Sequence, residues 1–364
     1  MAMTERSILG LMSGSSLDGV DMACVKFWGD STASIQWELM AKPLTLTYPE
    51  NIKSHLDLVH TLPEEALEKF HRELGDFFGK VAKEYLDANQ LKVSAIASHG
   101  HTVKHNPAEG YSIQIGAGDA MAKSSGLPCI TDFRTQDIIH GGQGAPIAPV
   151  VEHYLFEEYK MFLNIGGISN ISMHATQHII GYDVCPANQL LNHLANQLNL
   201  PFDDGGRIAE DGSVDDLLLA SLQADAYHRL EFPKSLDNNY VRSNFISKLH
   251  SSRLSTADKL ATCTHYIANN ISKEINRISS MHKIKEVFVT GGGAYNTFLL
   301  RLLSLKIGDV QLIVPRDEII QQKESILLAL CGYLYMEGLP NSFASATGAS
   351  KDTINGIWHS LEKS

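Results

Sequence analysis

Twice along the chain an apolar run stops at a turn of glycine and serine and resumes as a second, alternating run. The first instance is ILGLMSGSSLDGVDMACVKF (8–27) and the second is MFLNIGGISNISMH (161–174). The turns, near Ser13 and Gly166, stand about 150 residues apart, and each opens a stretch of further strands and helices. Alternation with a period of two marks strands, and small residues between two such runs mark a hairpin. The repeat predicts two similar α/β halves, since strands followed by crossover helices and more strands build a mixed layer. Two such halves would leave a cleft with a small-residue turn from each facing inward, the usual place for a ligand.

In the first half, 8–12, 20–27 and 35–44 read as a three-stranded meander. Residues 63–89 read as a helix, with Leu67, Phe70, Leu74, Phe77, Phe78 and Val81 at helical spacing. SAIASHGHTV (94–103) reads as a buried strand running into a Gly turn, YSIQIGAGDAMAKSSG as a strand and helix, and LPCITDFR as a short strand. In the second half, HIIGYDVCPANQLLNHLANQL reads as strand, Pro-containing turn and helix. Residues 215–281 are mostly helical, IKEVFVTGGGAYNTFLLRLLSL is strand, triple-glycine loop and helix, and 323–337 is an apolar helix.

Composition narrows the partners. A chain of 364 residues that is 44% apolar and 20% charged has ample core for one large or two medium domains. The net charge of −11, with no basic block, argues against nucleic acid, because neutralising phosphates needs clustered Lys and Arg. An anionic ligand would then be held by backbone amides and a metal. Cys24, Cys129, Cys185, Cys263 and Cys331 are odd in number and form no CxxC, which predicts reduced core thiols and a cytoplasmic setting. No apolar stretch approaches the roughly 18 residues of a spanning helix, so no membrane partner is expected.

The first turn has two readings. Its glycines and the hydroxyls of Ser13, Ser15 and Ser16 could hold an anion, with Asp18 or Asp21 holding a hydrated Mg2+. Alternatively it is a plain hairpin, for which Asp-Gly is already a strong signal. TGGGAYN (290–296), between a strand and a helix, is either a nucleotide contact or a simple connection. His99, His101 and His105 in SHGHTVKH are either metal ligands or the lining of a polar pocket. Asp183 is either a helix cap or a general base at a strand end, and Glu324 is at least a favourable first-turn acid. The phosphate-binding GxxxxGK[ST] and the protein-kinase signatures are absent.

Assembled, these motifs resemble those of the anhydro-N-acetylmuramic acid kinases, of the sugar kinase, heat-shock ATPase and actin superfamily. The likeness runs nearly the whole chain: GLMSGSSLDGVD, SHGHTVKHNP, SIQIGAGDAMA, TDFRTQDIIHGGQGAPIAP, NIGGISNIS, YDVCPANQLLN, DDGGRIAEDG, FPKSLDNN, FVTGGGAYN and GLPNSFASATGA follow in family order. The resemblance implies two RNase H-like domains around a central ATP cleft, taken as 1–132 and 133–349, with a C-terminal helix at 350–364 packing back on the first. It implies ATP-phosphate contacts from Gly14, Ser15, Ser16, Leu17, Asp18, Gly19, Val20 and Asp21, and from Gly166 and Gly167. Gly291, Gly292, Gly293 and Asn296 would lie on the adenosine side. Ser13, His99, Arg134, Asn188 and Glu324 would face the sugar, with Asp183 as catalytic base and Asp18 or Asp21 holding Mg2+ through water.

The reaction so implied is ATP-dependent opening of 1,6-anhydro-N-acetylmuramic acid and phosphorylation of O6, a step of peptidoglycan recycling, carried out by a homodimer. Three departures stand out. The family's usual Asp-Thr-Gly-Pro-Gly-Asn is Asp183-Val184-Cys185-Pro186-Ala187-Asn188 here, SHGHT replaces SHGQT, and SGSS replaces SGTS. A positive φ at the two lost glycines would be costly for Cys and Ala, so the turn is expected to differ, and the departures bear on substrate preference more than on reaction type. The competing readings are a kinase of the same fold acting on another sugar, an ATP-driven switch, and a metallo-hydrolase using His99 and His101.

Overall fold

The computed structural model describes residues 2–14, 17, 19–30, 35–174, 179–232 and 234–361. Two compact units divide it: residues 1–157 with 322–364, and residues 158–321. The division differs from the expected one at 132, because 133–157 and 322–349 belong to the first unit. Arg134 bonds to His99, Lys323 pairs with Glu152 at 2.8 Å, and Asp137 bonds to Ser342 and Thr347.

The first unit's main sheet starts with β1 (Ala2–Ser13), β2 (Val20–Asp30) and β3 (Gln36–Leu39), with β4 (Leu44–Leu46) also on β2. The single strand expected over 35–44 is thus two short ones, and Pro43, which has no N–H to donate, lies in the break. β5 (Ala95–Ser98) runs parallel to β1, while β6 (His101–Asn106) leaves the sheet and pairs with β7 (Tyr111–Ile115). The buried strand read at the start of 94–103 runs into the expected glycine turn at Gly100 (φ 67). β8 (Cys129–Thr131) lies parallel to β5.

The expected C-terminal helix is absent among the described residues. Instead Ile357–His359 forms a strand antiparallel to β8, with His359 Nε2 bonded to the Thr131 hydroxyl at 2.8 Å. Ile-Trp-His suits a sheet edge, and Gly356 at φ 152 is incompatible with a helix.

Both faces of this sheet are covered, as the pleat dictates. Leu9, Leu11 and Met22 face a core with Phe70, Leu74 and Phe78 of the helix Glu64–Ala88, close to the span read from periodicity. Each such buried side chain stabilises the fold by roughly 1.5–3 kcal/mol. Alternate residues of β1 face the helix Asp317–Glu337, where a Cβ on Gly10 would fall 1.9 Å from the Ser325 carbonyl oxygen. That helix is broken at Gln322 (φ −119, ψ 16), where the chain enters the first unit again.

The second unit repeats the plan. β9 (Met161–Ile165), β10 (Ile168–His174) and β11 (Ile179–Pro186) form an antiparallel meander, and β12 (Glu286–Thr290) and β13 (Gln311–Ile313) run parallel on the far side of β9. The order β11-β10-β9-β12-β13 matches β3-β2-β1-β5-β8, which is the RNase H-like order in both units. The repeat read from the two turns is therefore a repeat of topology. Helices Asn188–Asn196, Thr256–His282 and Thr297–Lys306 bury Leu190, Ile267, Ile271 and Leu303 with Leu163 and Val289 of the sheet. All five cysteines are buried and free. Among the described residues no helix is long and apolar enough to cross a membrane.

Candidate active site

The expected site residues form two sets, one in each unit. Ser15, Ser16 and Asp18 lie outside the described residues.

In the first unit, Ser13 ends β1 and Val20 begins β2, with Gly14, Leu17 (φ 56) and Gly19 between them. Ser13 is only 4% exposed, its Oγ taking the Tyr48 hydroxyl proton at 2.6 Å and bonding His101 Nδ1 at 2.9 Å. Asp21 accepts from Thr45 Oγ1 and from Gln322 Nε2.

His99 follows β5 and is 4% exposed. Its Nε2 accepts from Arg134 Nε at 2.7 Å, and Arg134 Nη1 donates to the Gly144 carbonyl at 2.6 Å. Burial, with the Arg134 charge second, pushes the His99 imidazole down to about 3, so it stays neutral and Nε2 keeps its lone pair for the guanidinium. Among the described residues, His99 Nδ1 has no hydrogen-bond partner and Arg134 Nη2 makes no hydrogen bond. His99 is engaged by Arg134 through Nε2 and His101 by Ser13 through Nδ1. No group of three or more potential metal ligands occurs among the described residues.

Glu324 lies two residues past the break at Gln322, in the first turn of the helical segment that follows it. Although its side chain reaches solvent, the surrounding protein raises its carboxyl, and the charge of Asp21 adds to the rise. Lys323 and Arg134 pull it back.

In the second unit, Gly166 and Gly167 join β9 to β10. Their carbonyls accept from the amides of Asn188 (3.1 Å), Ala187 (2.9 Å) and Gln189 (3.1 Å). The start of the helix Asn188–Asn196 is thereby spent on the turn. Asn188 Nδ2 also donates to the Ile165 carbonyl at 3.0 Å.

The triple glycine has a packing reason. A Cβ on Gly291, which has φ 83, would meet Asn164 Oδ1 at 2.5 Å, and one on Gly293 would meet Ile165 Cγ2 at 2.2 Å. Gly292 keeps open space, its nearest neighbour being Asn188 Nδ2 at 3.5 Å. Asn296 is buried and caps the helix Thr297–Lys306, accepting from Leu299 N at 2.9 Å.

Asp183 sits inside β11 opposite Asn170, immediately before a bulge that leaves Val184 without a cross-strand partner. Bulges re-aim side chains, and this one interrupts the alternation, so that Val184, Cys185, Pro186 and Ala187 are all buried. Neither Cys185 nor Ala187 has a positive φ; Ala187 is at −128, so the loss of two glycines imposes no left-handed residue here. Asp183 caps no helix. Its Oδ2 accepts from Leu236 N at 2.8 Å, its N–H donates to the Lys234 carbonyl at 3.1 Å, and its carbonyl accepts from Tyr227 OH at 2.7 Å. Oδ1 makes no hydrogen bond among the described residues. Burial raises its carboxyl, and the Leu236 amide opposes the rise. An ionised carboxylate made more basic, with one oxygen tied and the other open, is equipped to take a proton.

The segment 234–236 that holds Asp183 escaped assignment, though it lies in the FPKSLDNN motif. Tyr48 carried no signal at all, being brought to Ser13 only by the fold.

The model of the family described as anhydro-N-acetylmuramic acid kinase matches residues 6–360. An anhydro-N-acetylmuramic acid kinase of Shewanella halifaxensis is 32% identical over 98% of this chain and 99% of its own length. One of Hydrogenovibrio crunogenus is 33% identical over 96% and 97%. Among solved structures, component A of the Acidaminococcus fermentans (R)-2-hydroxyglutaryl-CoA dehydratase aligns with TM-score 0.44 and 14% identity, over 90% of this chain and 98% of that one. By motif order and by match along nearly its whole length, the chain belongs to the anhydro-N-acetylmuramic acid kinase family.

Proposed function

We propose that the protein is an ATP-dependent kinase that opens 1,6-anhydro-N-acetylmuramic acid and phosphorylates O6, giving N-acetylmuramic acid 6-phosphate and ADP, a step of peptidoglycan recycling. The observation that carries the mechanism is Asp183: raised by burial, held by Leu236 N–H through Oδ2, and open at Oδ1 among the described residues. Asp183 takes a proton from water as its oxygen bonds to the anomeric carbon. The bond from that carbon to O6 breaks, and the released O6 attacks the γ-phosphorus in line as ADP leaves.

The turn amides of 14–21 and of Gly166 and Gly167 hold phosphate oxygens, where fixed donors stabilise charge without reorganising. Gly291, Gly292, Gly293 and Asn296 lie toward the adenosine. Ser13, His99, Arg134, Asn188 and Glu324 face the sugar, with Arg134 offering Nη2.

Mg2+ fits the first unit's oxygen donors. Asp21 and Glu324 are close enough for one charge to raise the other, a repulsion that a cation relieves. With no cluster of three ligands among the described residues, Asp21 (and Asp18, by resemblance) would hold the ion largely through waters and phosphate, as Mg2+ prefers. Bound there, the ion would neutralise phosphate charge.

The test is ADP release from ATP, Mg2+ and 1,6-anhydro-N-acetylmuramic acid by wild type and Asp183→Asn. Release should require the anhydro-sugar and fall about 10²–10⁴-fold in the variant, the range for loss of a general base. Asparagine can still accept from Leu236 N–H, so the fold should persist. Undiminished turnover would remove Asp183 from the role, and ATP hydrolysis indifferent to the sugar would favour an ATP-driven switch.

A further inference from the structure

The stretch from Asp132 to Gly144 carries one arginine that the proposed reaction uses and one acid that it does not. Asp137 is fully buried, and neutral donors satisfy its carboxylate: Gly144 N–H reaches Oδ2 at 2.7 Å, and the Ser342 and Thr347 hydroxyls reach Oδ1 at 2.8 and 2.7 Å. Its own N–H donates to Asn355 Oδ1 at 3.1 Å, and its carbonyl accepts from Gly142 N at 2.9 Å. A carboxylate so enclosed gives up its hydration, so such a group is informative about what it fixes.

What it fixes is Gly144. That residue holds φ 63, and a Cβ there would lie 2.9 Å from Ile138 Cγ1 and 3.3 Å from Arg134 Cβ, so the position is both left-handed and closely packed. The same residue whose N–H is bound by Asp137 presents its carbonyl to Arg134 Nη1 at 2.6 Å. With Nε on His99, the guanidinium plane is set by two acceptors and Nη2 is left over. The near end of the stretch is pinned as well: Asp132, at φ 62, accepts from the amides of Arg134 (3.3 Å) and Thr135 (3.0 Å). Left-handed non-glycine residues persist only where the surroundings impose them, and they gather at functional sites.

We propose that Asp137 is a positioning residue: through Gly144 it sets the plane of the Arg134 guanidinium, and with it the recognition of the anhydro-sugar. The inference rests on the reading that Arg134 faces the sugar. It also gives the GGQGAP and GLPNSFASATGA motifs a shared purpose, since Gly144 belongs to one and Ser342 and Thr347 to the other.

The test is a double-mutant cycle between Asp137→Ala and Arg134→Ala, with KM measured separately for the sugar and for ATP. Asp137→Ala should raise the sugar KM about tenfold or more while the ATP KM stays within about twofold, and in the Arg134→Ala background its effect should shrink to about twofold. Asp137→Asn, whose side-chain oxygen can still accept from Gly144 N–H, should restore most of the loss, whereas Asp137→Leu, which fills the space but accepts no hydrogen bond, should not. If Asp137→Ala does not fold, Gly144→Ala displaces the carbonyl with Asp137 intact and should give the same coupled rise. An unchanged sugar KM, or an effect that survives whole without Arg134, overturns the proposal. If Arg134→Ala itself leaves the sugar KM unchanged while turnover persists, the sugar role of Arg134 falls and the proposal with it, but the kinase reading stands.

Discussion

The two hairpin turns occupy the same place in the same strand order, yet they are held by different means. The first is anchored by side chains: Tyr48 and His101 converge on Ser13, while Thr45 and Gln322 converge on Asp21. The second is anchored by backbone, its two carbonyls taking the amides of Ala187, Asn188 and Gln189. A turn held by side chains depends on residues far away in sequence, and each can be altered alone. A turn held by backbone depends on what packs beside it, here Gly291 and Gly293 of the 290–296 loop against the end of β9.

The largest effect that separates the two is Gly291→Ala. The new Cβ would strike Asn164 Oδ1 and the Ile165 carbonyl at a residue with φ 83, so both clash and backbone strain act. We expect a loss of about 2–4 kcal/mol in urea unfolding. Gly167→Ala is the contrast: its Cβ would meet only the flexible Gln189 side chain, nearest at 3.1 Å. Stability should change by less than about 0.5 kcal/mol, while the ATP KM rises because a methyl intrudes beside the amides. Equal destabilisation by both substitutions would refute a packing origin for the triple glycine.

That triple glycine also shows where sequence reading stops. The strands around both turns, the helix Glu64–Ala88 and the pairing of Gly-Ser turns with meanders were legible because period-two and helical spacing are local. Asp183 stood out because an acid near a strand end is a local signal too. The close approach of Gly291 and Gly293 to β9 was not legible, since it joins residues far apart in the chain. The same holds for the bulge at Val184, for Asp137 with Ser342 and Thr347, and for the three-residue edge strand Ile357–His359, too short for its alternation to register. The unit boundary was misplaced for a related reason: contacts such as Lys323–Glu152 tie 133–157 and 322–349 to the first unit with no break in composition.

Each unit also encloses a histidine, buried in the first and half-buried in the second, and here the comparison predicts likeness. Burial pushes His99 down to about 3 and His228, bonded to Tyr266 OH at 2.8 Å, down to about 4. A depressed imidazole binds its proton more weakly in the folded chain than in the unfolded one, where the ordinary value is 6.5. Its contribution is therefore complete above about pH 6.5 and is lost as pH falls, toward 3 for His99 and toward 4 for His228. Unfolding followed from pH 6.5 downward should show a shallower loss in His99→Gln and in His228→Gln, each by up to about 1.4 kcal/mol per pH unit. Identical slopes in wild type and variant would mean that the ring is already protonated in the fold.

The smallest expected effect tests the side-chain anchoring of the first turn. Tyr48→Phe deletes one hydroxyl and leaves Ser13 bonded to His101, so the loss should be about 1 kcal/mol, that of one hydrogen bond. Ser13→Ala deletes both bonds and strands a buried imidazole nitrogen, for which the cost is about 1–3 kcal/mol. Ser13→Ala should therefore lose more stability than Tyr48→Phe. Both should raise the sugar KM rather than lower kcat, because each loosens a hydroxyl assigned to binding and leaves Asp183 untouched. If Tyr48→Phe costs as much as Ser13→Ala, the tyrosine orders more of the turn than the Ser13 hydroxyl. If neither moves the sugar KM, the chain Tyr48–Ser13–His101 serves the fold alone, and the first turn, like the second, presents backbone rather than side chains to its ligand.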